Sequence, residues 1–99
     1  MKTELAWDEV KRRENISKHG LDFVDASEVL DSRFRMDVSV LRGGETRIQS
    51  FSYALGFLAV LTVVHTRRGG TTRVISFRPA SKIEREVYDE WLENEYDES

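Results

Sequence analysis

The chain has 99 residues, 39% hydrophobic and 33% charged, with no cysteine and two histidines. That is the size of one domain around one apolar core, and it excludes a disulfide framework, a thiolate metal site and a histidine-rich metal cage. The net charge of −3 averages two unlike regions, since residues 83–99 hold one basic and eight acidic side chains (1 − 8 = −7), which leaves +4 on residues 1–82.

In chain order, Trp7 to Gly20 reads as a first helix: Asp8 can cap it, acids lead, cations follow, and Gly20 can close it in a left-handed turn. Its apolar face, Trp7, Val10 and Ile16, is thin, so packing through Lys and Arg stems is expected. Leu21 to Leu30 gives a second short helix capped by Asp22, with Phe23, Ala26, Val29 and Leu30 on one side. From Phe34 the period becomes two, with Met36, Val38 and Val40 alternating with polar residues, so a half-buried strand is predicted. Gly43-Gly44 turns it into a second strand, Arg47 to Tyr53, whose facing is open.

Leu55-Gly56 then turns the chain into Phe57 to Val64, a continuous apolar run that predicts a central strand covered on both faces. The run is far shorter than the ~20 residues of a membrane-spanning helix. The opening residues carry no long apolar segment either, so a soluble protein of the reducing cytoplasm, without metal or cofactor, is expected. Gly69-Gly70 leads into a fourth strand, Thr71 to Arg78. After Pro79, Ser81 and Glu84 match a capping box, and Ile83, Val87, Trp91 and Tyr88 offer the last helix an apolar stripe. The expectation is a single α+β domain over residues 1–99: two N-terminal helices, a four-stranded antiparallel sheet and a C-terminal helix, with a frayed acidic tail from about residue 94.

Residues 65–82 contain His65, Arg67, Arg68, Arg73, Arg78 and Lys82 and no acid. Neighbouring antiparallel strands bring such residues within about 5 Å of one another. Arginine's planar fork binds two phosphate oxygens, and imidazole transfers a proton near neutral pH. The set suits RNA cleavage in which the ribose 2′-OH attacks the adjacent phosphorus, a reaction that needs a base, an acid and cations but no metal. Solvated arginines and a hydrogen-bonded strand-end histidine are the plainer reading of the spacing taken alone. Arg73 and Arg78 are five apart, on opposite faces of a regular strand, so a twist, a bulge or the strand end beside Pro79 must turn one of them, and Arg78 is the expected one. His65 and this arginine pair are expected to contribute most to cleavage, with Lys18 and His19 positioning the strand and inheriting the proton transfer if His65 is not the carrier. Helix capping by itself also accounts for Lys18-His19-Gly20.

Trp7-Asp8, Asn15-Ile16-Ser17-Lys18-His19-Gly20-Leu21-Asp22-Phe23, Val63-Val64-His65-Thr66-Arg67 and Arg73-Val74-Ile75-Ser76-Phe77-Arg78, followed by Glu84-Arg85, resemble in order and spacing the BrnT-type ribonuclease toxins of type II toxin-antitoxin systems. The resemblance implies a RelE-like α+β fold and metal-independent endoribonuclease activity. It also implies neutralisation by a BrnA-type antitoxin that also binds operator DNA; the expected assemblies are a homodimer or a heterotetramer with that antitoxin. Carried over by position, Lys18, His19, His65, Arg73 and Arg78 are the catalytic candidates and Arg47 and Arg67 RNA-binding ones, to which the basic stretch itself adds Arg68. Ser50-Phe51-Ser52, Phe77 and Pro79 depart from the family pattern. A catalytically silent relative serving as an antitoxin-binding corepressor, or a small interaction domain, is the alternative.

Overall fold

The computed structural model describes residues 4–54, 56 and 58–95. In order they form strand β1 (Leu5–Ala6), helix α1 (Glu9–His19), a 3₁₀ turn (Phe23–Ala26), helix α2 (Ser27–Leu30), strands β2 (Met36–Arg42), β3 (Glu45–Ala54), β4 (Ala59–Arg68) and β5 (Thr71–Pro79), and helix α3 (Lys82–Glu95). The strands make one sheet in the order β1-β5-β4-β3-β2. β2 to β5 are the expected antiparallel meander, whose first hairpin turns on Gly43 and Gly44 at φ 59° and 78°. Two successive residues at positive φ are what a tight hairpin of this hand requires, and glycine adopts them without strain.

Two expectations about the elements are corrected. The sheet has five strands and is mixed, because Leu5 and Ala6 pair in parallel with Thr72 and Arg73 on the outer edge of β5. A two-residue strand is too short to show a period. In place of a second regular helix there is a 3₁₀ turn followed by one α-helical turn. The apolar spacing explains it, since Phe23, Ala26 and Val29 recur every third residue and all are fully buried, which suits 3.0 residues per turn.

Helix α1 begins and ends as its sequence indicates: the Asp8 carboxylate accepts from the N–H groups of Val10 and Lys11, and Gly20 closes the helix at φ 69°. What docks it is polar. Val10 and Ile16 are exposed, while Trp7 packs edge-on against Phe23 with ring centroids 6.4 Å apart. Arg12 donates to both oxygens of Asp22, at 2.8 and 2.9 Å. The Asn15 amide, 7% exposed, donates to the carbonyls of Phe77 (2.7 Å) and Leu21 (2.8 Å) and accepts from Phe77 N–H (3.1 Å). β1 covers the β5 edge only opposite residues 72 and 73, so one amide side chain continues the work of a strand along that edge.

One face of the sheet, with Leu61, Val63, Val74 and Phe77, packs against Phe23, Ala26, Val29 and Leu30. On the other, Met36, Phe51 and Val60 pack against Tyr88, Trp91 and Leu92 of α3. The expected stripe on α3 is therefore rotated: Ile83 and Val87 face solvent, and Tyr88 is fully buried, its hydroxyl donating to the Phe34 carbonyl at 2.8 Å. The capping box forms, with Glu84 N–H on Ser81 Oγ (3.2 Å) and Ser81 N–H on Glu84 Oε1 (2.8 Å). Residues 94 and 95 belong to α3, while Leu55, Phe57 and the tail 96–99 lie outside the described residues. No helix among the described residues is long and apolar enough to cross a membrane. Because α3 covers one half of its face, the half formed by the end of β2, the start of β3, the end of β4 and the start of β5 is left bare by the described residues of that helix.

Candidate nucleic-acid interface

The bare half-face is basic, and a bulge makes it so. Val64 pairs with Ser76 and His65 with Val74, so Ile75 is an extra residue on β5. Arg73 then lies opposite Thr66 and Arg78 opposite Thr62, four apart on β4 and hence on one side of the sheet. The two arginines do share a face, through a bulge in mid-strand; the pairing runs on to Pro79, so Arg78 does not turn at the strand end.

Three clefts adjoin on this face and share Ile75 as a wall. The first, about 230 Å³, is lined by Arg42, Arg47, Gln49, Ser76 and Arg78. The second holds Lys11, Glu45, Arg47, Thr66, Arg68 and Arg73, and the third Lys11, Lys18, His19 and Ser76, where the end of α1 meets the bulge. Arg78 grips Glu84 through two hydrogen bonds of 2.7 and 2.9 Å, which fastens the start of α3 to β5. The Arg78 hydrogen bonds hold the Glu84 carboxyl at about 2 against the opposing effect of burial, and Glu84 in turn raises Arg78. His19 is half-buried, and burial, with the charges of Lys18 and Arg78 adding to it, lowers its pKa from the ordinary 6.5. At neutral pH its ring is uncharged and able to accept a proton.

His65 stands elsewhere. Its neighbours Val64 and Thr66 line the clefts, so alternation turns the imidazole to the other side, where it is 4% exposed and bonds Ser50 Oγ at 2.8 Å. Ser50 gives its single hydroxyl proton to Asp37 (2.6 Å), so the bond from His65 must be donated by Nε2–H. Arg35 forks onto Asp37 at 2.7 and 3.0 Å and donates to the Leu30 carbonyl at 2.9 Å, which completes a polar chain from α2 to β4. Burial pushes the Asp37 carboxyl up, but the bonds from Arg35 and Ser50 outweigh it and the net direction is down. For His65, burial and the Arg35 charge lower the pKa to about 4, Asp37 opposing. Arg67 alternates away from the clefts too, whereas Arg68 lines the second. The sequence candidates thus divide: Lys18, His19, Arg47, Arg68, Arg73 and Arg78 come together, and His65 and Arg67 do not join them.

The buried imidazole has a thermodynamic consequence. Its folded pKa, about 4, lies below the unfolded value of 6.5, so between these the unfolded chain binds more protons. This share of stability is intact above pH 6.5 and is lost as the pH falls towards 4, by about 1.4 kcal/mol per unit and about 3 kcal/mol in all. Urea unfolding from pH 7.5 to 4 is expected to show that loss in the parent. In His65→Gln, whose amide can still donate to Ser50, the loss should shrink; parallel profiles would refute the assignment.

Residues 7–84 match the family model of BrnT, the ribonuclease toxin of type II toxin-antitoxin systems. The chain belongs to that family. No curated protein matches it. Membership associates this BrnT-family chain with an antitoxin partner and an RNA target. The matched segment contains every residue named in the three clefts and ends at Glu84, the acid that holds Arg78. Asn15, Thr66, Ser76 and Glu84 were not among the sequence candidates for the site, since none belongs to the basic set and each acquires its place only when strands and helices are assembled.

Proposed function

We propose that this BrnT-family chain is a metal-independent endoribonuclease whose reaction takes place on the bare half-face, in the first and third clefts. The observation that carries the reading is the meeting of the third cleft, with Lys18 and His19, and the first, with Arg47 and Arg78, across their shared walls Ile75 and Ser76. His19 takes the proton of a ribose 2′-OH as that oxygen bonds to phosphorus. Arg47 and Arg78 stabilise the charge developing on the phosphoryl oxygens, and the bond to the 5′-oxygen breaks as Lys18 supplies its proton. The products are a 2′,3′-cyclic phosphate and a 5′-hydroxyl, and proton exchange through solvent returns His19 and Lys18 to their starting forms. His65 supports this face from behind by holding β3 and β4 to α2.

A BrnA-type antitoxin laid over the same face would occlude all three clefts, because a basic surface draws an acidic segment that orders on contact. Operator DNA is then bound through the antitoxin, and the setting is the cytoplasm, where RNA and partner are both present. The test is incubation of the purified protein with a defined RNA in excess EDTA, with the product ends analysed. Cleavage that persists and leaves 2′,3′-cyclic phosphates supports the reaction. Intact RNA, with the antitoxin still bound, would favour the silent corepressor, a reading to which the engagement of Arg47 by Glu45 and of Arg78 by Glu84 lends some support.

A further inference from the structure

We propose that the second cleft, around Thr66, is a phosphate subsite that holds a phosphodiester of single-stranded RNA next to the one being cut. It rests on the ribonuclease reading for its position relative to the scissile bond, and on its own geometry for the binding of phosphate. Thr66 is 4% exposed and its Oγ1 has no hydrogen-bond partner among the described residues. A buried hydroxyl left unpaired is destabilising, and valine would fill the same space without that cost. Thr62 Oγ1 is also unpartnered, but Thr62 lines none of the three clefts, whereas Thr66 lines this one together with Lys11, Arg68 and Arg73. Arg73 lies directly across the ladder from Thr66, and neither Arg73 nor Lys11 has an ion pair among the described residues. A threonine with a buried, unpartnered hydroxyl and two cations without an ion pair among the described residues therefore line one space of about 200 Å³.

A carboxylate marks where the anion goes. Glu45 reaches into the cleft with its oxygens 3.4 Å from Arg47 and 3.7 Å from Arg68. These long contacts are on partly exposed side chains, and a phosphate with more oxygens can displace the carboxylate and reach the hydroxyl beneath. Asp8, the other acid in the cleft, is committed to capping α1. Arg47 and Ile75 belong to this cleft and the first one alike, so neighbouring phosphates of one strand would occupy them in succession. The subsite binds and takes no part in bond breaking.

The experiment uses the whole protein and two probes, inorganic pyrophosphate and an uncleavable 2′-O-methyl oligoribonucleotide. Amide chemical shifts of Thr66, Arg68 and Arg73 should move on titration with pyrophosphate, and the response should vanish in Thr66→Val. That variant should bind the oligonucleotide about tenfold more weakly, with no fall in Tm, since it removes the unpaired hydroxyl. Lys11→Gln and Arg73→Gln should each reduce the slope of log affinity against log salt by about one, and Glu45→Gln should bind more tightly. With cleavable RNA, Thr66→Val should raise KM and leave the saturated single-turnover rate unchanged. Parental affinity in Thr66→Val, or pyrophosphate shifts confined to other residues, would overturn the subsite. A protein that binds through Thr66 and never cuts RNA would sustain the subsite and refute only the reaction.

Discussion

His19→Gln is expected to slow single-turnover RNA cleavage by about 100- to 10,000-fold, the usual contribution of a general base, while the protein remains folded. The ring sits on the last residue of α1, where Gly20 already terminates the helix, so removal of the imidazole takes away no cap. Burial and the neighbouring cations lower its pKa, which keeps the base form present at neutral pH and moves the acid limb of the rate profile below pH 6.5. Below that pKa the rate should fall about tenfold per unit as the ring takes up a proton. His65→Gln should instead lower stability, with cleavage falling only as the folded fraction falls. Should His65→Gln prove the slower enzyme at equal folded fraction, the proton would have to be assigned to the other side of the sheet.

The larger structural effect is expected from Asn15→Ala. The substitution leaves the N–H and carbonyl of Phe77 and the carbonyl of Leu21 without the amide that bonds all three. Orphaned buried groups of this kind cost about 1 to 3 kcal/mol each, and with water entering at the half-buried Leu21 carbonyl a net loss of about 2 to 5 kcal/mol is expected for the three. Urea unfolding measures the loss. Asn15→Asp should recover little, because a carboxylate can accept from Phe77 N–H but cannot donate to two carbonyls. Since Phe77 adjoins Arg78 and α1 carries Lys18 and His19, RNA affinity should weaken along with stability. An Asn15→Ala protein as stable as the parent would mean that the edge of β5 is closed by something other than this amide.

Much of the fold could be read locally. Asp8 and Gly20 mark the ends of α1, Ser81 and Glu84 start α3, and paired glycines turn two hairpins, because each of these depends on backbone groups a few residues away. The apolar run of β4 likewise reports burial within a single strand, but the alternation in β2 does not, since Met36 is buried under α3 and Val38 is exposed. Nearness in sequence also made the basic stretch 65–82 visible. It could not show which side of the sheet each member would take. One extra residue, Ile75, brings Arg73 and Arg78 onto the same face, and strand alternation turns His65 to the opposite one. A bulge is a relation between two strands, and neither strand records it alone. The same holds for Asn15 as the edge of β5, for Leu5 and Ala6 as a parallel strand, and for the rotation of α3 that buries Tyr88 and leaves Val87 in solvent. Sequence alone determined which groups were available, where α1 begins and ends, where α3 begins and where two hairpins turn, since those are short-range energies. Which groups meet, and whether a histidine sits beside a basic cleft or inside the core, was decided by tertiary packing, because burial and hydrogen bonding across distant segments set both position and charge.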